Sequence, residues 1–172
     1  RIHITGNNGS GKTTLVKLLL GELKPAAGTI TWADFSYLYI DQECSVLDPG
    51  LTVFEQTERF NASHLAEHEL KSILNRCLFP YETWDKPCFC LSGGEKIRLL
   101  FCCLMIGNNA PDVFILDEPT NNLDIQSVEI ITAAIKSYRG TVLLISHDHY
   151  FVKEIKINRS IKLFDTGSVI KI

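Results

Sequence analysis

One octapeptide near the start of the chain constrains its fold more than any other stretch. It runs from Gly6 to Thr13, reads G-N-N-G-S-G-K-T and fits the pattern G-x-x-x-x-G-K-T. The alternating run Ile2-His3-Ile4 precedes it and a leucine-rich stretch follows it, so the local order is strand, glycine-rich turn and helix. Glycines let successive N–H groups point inward at an anion, and the helix N-terminus adds its positive dipole end. The stretch therefore predicts a phosphate-binding loop.

Two residues at the end of this loop carry specific chemistry. Lys12 supplies a positive charge for β- and γ-phosphates, and the hydroxyl of Thr13 is placed to hold Mg²⁺. The pattern alone leaves open an ordinary glycine turn before a helix. The remainder of the chain has to decide between the two interpretations.

Composition limits the function classes. The chain has 172 residues, enough for one domain or for a domain with a subdomain, and 45% of them are hydrophobic. A net charge of −3 provides no global basic field for nucleic acid. The longest apolar run, Leu99 to Gly107, is too short to span a bilayer. Six cysteines lack the C-x-x-C spacing of zinc sites, and the composition suits a reducing cytosol.

Strands alternate with helices, which predicts an α/β fold with a mostly parallel sheet flanked by helices. Between the early strands and a later buried one, residues from about 49 to 107 have a helical character, with a capping box at Thr52 and Glu55. We expect an inserted helical subdomain there and a core formed by 1–48 and 108–172. We also expect at least one further strand before Arg1. The predicted strands are Gly28–Trp32, Tyr37–Ile40, Asp112–Leu116 and Thr141–Ile145, followed by a terminal hairpin of 160–164 with 168–172. One predicted helix has an apolar face formed by Leu70, Ile73, Leu74, Cys77 and Leu78.

Polar motifs follow the predicted strands. Asp117-Glu118 ends a buried strand, where carboxylates are well placed for Mg²⁺ and water, although a solvated pair is the alternative. The run Leu91–Glu95 reads L-S-G-G-E, and Ser92 with Glu95 forms a capping box. Its two glycines leave the helix start open to another molecule. A well-capped buried helix is the alternative there.

In this order, the phosphate loop, Gln42, L-S-G-G-E, Asp117-Glu118 and His147 resemble the nucleotide-binding domain of the ATP-binding-cassette (ABC) superfamily. The resemblance covers nearly the whole chain, and L-S-G-G-E is its most specific element. The runs from Glu118 to Asp124 and from Ser146 to Phe151 are similar to those of the ABC-F branch.

The resemblance implies an ATPase with bound Mg²⁺. Glu118 activates the attacking water, and His147 contacts the γ-phosphate; with Lys12 they form the implied catalytic set. Mg²⁺ is held by Thr13, Gln42 and Asp117. The residues implied to bind ATP are Gly6, Asn7, Asn8, Gly9, Ser10, Gly11, Lys12, Thr13, Thr14 and Gln42.

The resemblance also implies partners. Two cassettes of this superfamily meet head to tail, so Ser92, Gly93, Gly94, Glu95 and Asp124 contact ATP on the other cassette. ABC-F proteins act on the ribosome as translation factors or in antibiotic resistance, which implies a cytoplasmic protein that does not insert into the membrane. The alternative is the nucleotide-binding subunit of an ABC membrane transporter.

Overall fold

The computed structural model describes residues 1–31, 33–41, 44–107, 110–121 and 123–164. The helices and strands follow one another as β1 (Ile2–Thr5), α1 (Lys12–Leu19), β2 (Tyr37–Ile40), α2 (Val53–Arg59), α3 (Glu67–Arg76), α4 (Gly93–Gly107), β3 (Val113–Asp117), α5 (Ile125–Ser137), β4 (Thr141–Ile145), α6 (His149–Glu154) and β5 (Arg159–Lys162). Single 3₁₀ turns occupy Tyr81–Thr83 and Cys88–Cys90.

The described strands form one sheet in the order β2-β3-β4-β1-β5. β1 pairs in parallel with β4 and β5, and β3 pairs in parallel with β4. Ile145 of β4 lies opposite both Ile4 of β1 and Asp117 of β3. The α/β class with a mostly parallel sheet is therefore confirmed, and the carboxyl ends of β1, β3 and β4 are level with one another.

The chain divides into two compact units. One contains Arg1–Tyr39, Pro111–Glu118 and Gly140–Ile172, and the other contains Ile40–Ala110 and Pro119–Arg139. The helices α2, α3 and α4 follow β2 and precede β3, as the helical character of this stretch indicated. In addition, α5 is grouped with these helices and not with the sheet. The expected boundaries near 49 and 107 remain a prediction.

The core of the first unit joins the sheet to α1. Its buried residues come from β1, α1, β3, β4 and the position directly after β5, so the loop between β1 and α1 is anchored at both ends. They are Ile4, Val16, Ile115, Ile145 and Leu163. In the second unit, α4 packs against α2, α3 and α5. Its buried side chains are Ile97, Leu99, Leu100, Phe101, Cys102, Cys103 and Ile106.

The predicted capping box at the start of α2 is confirmed. Thr52 Oγ1 accepts a hydrogen bond from Glu55 N at 3.2 Å, and the Glu55 carboxylate accepts one from Thr52 N at 2.8 Å. These bonds lower the pKa of Glu55. Two N–H groups that the helix start leaves without intrahelical partners are thus satisfied.

The end of α3 differs from the prediction. Cys77 caps the helix, and Leu78 leaves it in the left-handed region with φ 61°, so its side chain is 42% exposed and does not join the apolar face. Leu78 N donates to Asn75 O and Phe79 N donates to Leu74 O, the two bonds of a Schellman motif. Phe79 is buried at the position that follows. Burial of Phe79 thus compensates for a left-handed leucine.

Two of the predicted strand regions are not found in full among the described residues. Residues 28–31 form no strand and are mostly exposed, because none of the described strands pairs with them to satisfy their backbone groups; Trp32 lies outside the described residues. The first half of the predicted terminal hairpin is present as β5, which pairs in parallel with β1. The second half, 168–172, lies outside the described residues.

Replacing Leu78 with glycine should stabilise the protein. A left-handed leucine costs roughly 1–2 kcal/mol, and glycine removes that cost at the expense of some chain entropy. We expect Leu78→Gly to raise the free energy of unfolding by roughly 0.5–1 kcal/mol in urea denaturation, with an unchanged m-value. Leu78→Ala also removes the exposed side chain but retains Cβ, so it should give no such gain. Equal effects of the two variants would contradict the left-handed geometry.

Candidate functional site

The glycine-rich loop joins β1, in the interior of the sheet, to α1. Gly11 caps α1 with a left-handed φ of 90°, and Ser10 N donates to Asn7 O at 3.1 Å. Gly6 has φ 155°, and a Cβ at this position would lie 2.4 Å from Ser10 Oγ and 2.9 Å from Leu163 O. A side chain therefore has no room where the loop leaves the strand. At Gly9 and Gly11, by contrast, a Cβ would meet no atom within 4 Å, so this part of the loop is open.

Lys12 lies across the loop. Its Nζ donates to Gly6 O at 2.9 Å and to Asn7 O at 3.0 Å. In the part of the chain that the structure describes, this ammonium forms no ion pair. Ser10 Oγ is buried, and no described group bonds to it. Among the described residues, carbonyl oxygens hold the ammonium and no group satisfies the hydroxyl. Such a cation and hydroxyl in an open glycine loop fit an anion of the size of phosphate.

Asp117 lies at the carboxyl end of β3 and is only 7% exposed. Its Oδ2 atom accepts hydrogen bonds from Thr13 Oγ1 at 3.1 Å and from Tyr39 Oη at 3.2 Å. The structure thus brings together two predicted Mg²⁺ ligands, Thr13 and Asp117. The contribution of Tyr39 was missed, because sequence alternation predicted a strand there but not that the strand lies beside β3.

Glu118 and His147 are also neighbours. Glu118 has a left-handed φ of 52° and is 9% exposed, and its N–H donates to Ile145 O at 2.8 Å. The Glu118 carboxylate accepts from His147 N at 3.3 Å, and His147 Nε2 lies 3.5 Å from Glu118 Oε1. The imidazole side chain is 60% exposed. The buried carboxylate of Glu118 therefore lies next to the accessible imidazole of His147.

The loop that carries His147 is fixed from the neighbouring strand as well. His3 Nε2 lies 2.9 Å from Ser146 O, and Asp148 N donates to Ser146 Oγ at 3.1 Å. The sequence places His3 in the alternating run of the first strand. In the structure it contacts the residue before His147, a contact that only the parallel pairing of β1 with β4 creates.

The second group of predicted residues lies in the helical unit. Ser92 N donates to the Glu95 carboxylate at 2.7 Å, and Glu95 N donates to Ser92 Oγ at 3.3 Å, which confirms the capping box. The pKa of Glu95 is lowered overall. Burial acts to raise it, but the hydrogen bonds from Ser92 and the nearby charge of Lys86 have the larger combined effect. Gly93, at the start of α4, is exposed, and a Cβ there would meet no atom within 4 Å.

Asp124 caps α5. Its carboxylate accepts from Ser127 N at 2.8 Å and from Ser127 Oγ at 2.9 Å, and these bonds lower its pKa. A Cβ on Gly94 would lie 3.1 Å from the side chain of Leu123. The start of α4 therefore packs directly against the turn before α5, which the sequence did not reveal.

The predicted residues thus fall into two groups, one in each compact unit. The first contains the loop from Gly6 to Thr14 with Asp117, Glu118 and His147, and the second contains Ser92–Glu95 and Asp124. Gln42, predicted to bind ATP and Mg²⁺, lies outside the described residues.

The donor set of the first group fits Mg²⁺. A threonine hydroxyl and a carboxylate are hard oxygen ligands, and Mg²⁺ in proteins takes one or two carboxylates together with substrate phosphates. Within the described ranges, no three His, Cys, Asp or Glu side chains converge as a metal site.

A parallel sheet with a glycine-rich loop between β1 and α1 defines a P-loop α/β domain. The sequence profile of the ABC transporter family matches residues 1–121. The chain belongs to this family, whose members are ATPases.

Individual relatives agree with this assignment. The chain is 42% identical over 168 residues to ABC transporter F family member 5 of Arabidopsis thaliana, a match that covers 96% of this chain and 24% of that protein. The resemblance to the F branch is thereby confirmed. The chain spans about a quarter of the length of the curated relatives that it matches.

Two solved structures are similar in fold. The first is an archaeal ribosome recycling factor in complex with an archaeal ribosomal stalk protein, with a TM-score of 0.71, 29% identity and coverage of 94% of this chain and 31% of that chain. The second is an ATP-binding cassette solved as a dimer in a post-hydrolysis state with ADP and Pi, with a TM-score of 0.69 and 23% identity over 94% of this chain and 80% of that chain. Among the described residues, no helix is long and apolar enough to cross a membrane.

The close contact between Gly6 and the carbonyl of Leu163 can be tested with two matched glycine-to-alanine variants. Gly6→Ala and Gly21→Ala both place a side chain on a backbone with positive φ, but only at Gly6 does Cβ meet the fixed carbonyl of Leu163. We expect the free energy of unfolding to fall by at least about 1 kcal/mol more in Gly6→Ala. Urea denaturation of both variants measures the difference. Equal losses would show that the loop has room that the structure does not show.

Proposed function

We propose that this chain binds ATP with Mg²⁺ and hydrolyses it in a site that a second cassette completes. The observation that carries the proposal is the meeting of the phosphate loop, Asp117, Glu118 and His147 at the carboxyl ends of parallel strands. Thr13 and Asp117 are joined by a 3.1 Å hydrogen bond, and Glu118 accepts a 3.3 Å hydrogen bond from His147. Ligands of open α/β sheets bind at this edge.

The loop from Gly6 to Thr14 binds the phosphates. Lys12 exchanges its carbonyl partners for β- and γ-phosphate oxygens, which are stronger acceptors for an ammonium. Thr13 and Asp117 hold Mg²⁺, together with Gln42. When bound, Mg²⁺ neutralises phosphate charge and orients the phosphates for in-line attack.

Glu118 acts as the general base for the attacking water. It is buried and fixed at a strand end, and its backbone N–H is bonded to β4. His147 orients the γ-phosphate, since its exposed imidazole can reach outward while its backbone N–H stays bonded to Glu118. The left-handed backbone of Glu118 is the strained conformation that often marks functional residues.

Ser92, Gly93, Gly94, Glu95 and Asp124 serve ATP on a second cassette. The exposed start of α4 supports this part of the proposal, because a 15-residue helix presents N–H groups and a positive dipole end there. The dimeric cassette with ADP and Pi, which has the same fold, is a precedent for paired cassettes.

We further propose that the full protein is cytoplasmic and acts on the ribosome, as a translation factor or in antibiotic resistance. The F-branch relatives and the similarity to a ribosome recycling factor support this role. The full-length Glu118→Gln protein should co-sediment with ribosomes in ATP but not in ADP. Co-purification with a membrane protein, and no co-sedimentation, would favour the alternative, a subunit of a membrane transporter.

Glu118→Gln should bind ATP as the parent does and hydrolyse it about 10²–10⁴-fold more slowly, because glutamine cannot accept the proton of water. Binding is measured with a fluorescent nucleotide and turnover by phosphate release in the full-length protein. The exposed Glu22→Gln serves as the control and should behave like the parent. Unchanged turnover in Glu118→Gln would exclude Glu118 as the base.

Complementation tests the shared site. In the 172-residue chain, Lys12→Ala damages the phosphate loop, and Gly93→Asp adds a charge at an open helix start. Each variant alone should be inactive. In an equimolar mixture half of the pairs are mixed, and each mixed pair has one intact site, so activity should recover to about a quarter of the parent's. Turnover should also rise with protein concentration.

Failure of the mixture to recover, with both variants folded, would contradict a site shared between two copies. Turnover that is independent of protein concentration in a pure monomer would contradict it as well.

A further inference from the structure

We propose that Tyr39 is a positioning residue for the metal-binding carboxylate of Asp117. The Tyr39 hydroxyl donates to Asp117 Oδ2 at 3.2 Å, beside the bond from Thr13 Oγ1 at 3.1 Å. The three residues come from β2, β3 and α1. This inference rests on the proposed function, since it concerns how the same site holds Mg²⁺.

A buried carboxylate requires donors to replace the water it has lost. Asp117 is 7% exposed, and its two hydroxyl donors both engage Oδ2. Neither of these two hydroxyls donates to Oδ1, and we expect Oδ1 to be the oxygen that binds the cation. Two donors on one oxygen fix the carboxylate plane more firmly than one donor does. The role of Tyr39 is thus to select the carboxylate orientation that Thr13 alone leaves underdetermined.

Packing makes the Tyr39 hydroxyl a rigid donor. The ring is partly buried against the core of Ile4, Val16, Ile115 and Ile145, which also underlies β1, α1 and β3. Apolar contacts therefore locate the phenol oxygen, and no flexible chain has to be ordered when the metal binds. Outer-shell partners of this kind typically change metal affinity by about 10–100-fold when they are removed.

The same strand offers a matched control. Tyr37 lies two residues away in β2 and is 46% exposed, and its ring contacts that of Phe35 at 6.3 Å between centroids. Tyr37→Phe and Tyr39→Phe each remove one hydroxyl and retain the ring. Only the second substitution removes a donor to Asp117.

The experiment measures nucleotide affinity in the full-length protein as a function of metal. A fluorescent ATP analogue is titrated in EDTA and then at increasing Mg²⁺, with the parent, Tyr37→Phe and Tyr39→Phe. We expect equal affinities in EDTA for all three. The Mg²⁺ concentration for half-maximal enhancement should rise about tenfold in Tyr39→Phe alone. Manganese, followed by its spin-resonance signal, provides a readout that does not depend on hydrolysis.

Three results would overturn the inference. If the parent shows metal-enhanced binding and Tyr39→Phe matches it, Tyr39 has no positioning role, while the proposed function stands. If Tyr39→Phe weakens nucleotide binding by the same factor in EDTA as in Mg²⁺ and also lowers the unfolding temperature, the role of Tyr39 is structural only. If the parent itself shows no metal dependence, the proposed function fails and this inference fails with it.

Discussion

The parallel register of the sheet is the constraint on which the candidate site depends. Ile145 lies opposite both Ile4 and Asp117, so the ends of β1, β4 and β3 are level. A different group therefore follows each strand at the same edge of the sheet: the phosphate loop after β1, His147 after β4, and the Asp117-Glu118 pair at the end of β3. Hydrogen bonds between these groups follow from the register, because it brings residues that are far apart in sequence within about 3 Å of one another at this edge. A slip of one residue would reverse the side-chain directions and separate them.

The carboxylates of the two groups of candidate residues differ in burial and in the bonds they form. Asp117 and Glu118 are almost fully buried and bonded to hydroxyl and N–H donors, whereas Glu95 and Asp124 cap helices at the surface of the other unit. The capping bonds lower the pKa of both Glu95 and Asp124, so both stay ionised near neutral pH. The sheet carboxylates instead lie where water is scarce and where a metal ion or a proton has most effect.

Local signals in the sequence predicted local structure well. The glycine pattern predicted the loop, and S-x-x-E and T-x-x-E predicted two helix starts whose reciprocal bonds are present. Prediction failed where a distant neighbour decides the outcome. Residues 28–31 have strand-like composition, but none of the described strands pairs with them. Leu78 continues an apolar period but turns away so that Phe79 can be buried.

By itself, the sequence determined the family, the order of elements and the identity of most candidate residues, because motif spacing and periodicity are local properties of the chain. The tertiary structure alone decided which of those residues meet. It placed Tyr39 on Asp117, His3 on Ser146 and Leu123 against Gly94, contacts that join segments from 29 to 143 residues apart. Such contacts depend on strand order and helix packing, which result from burying apolar surface over the whole domain and which no single stretch of sequence encodes.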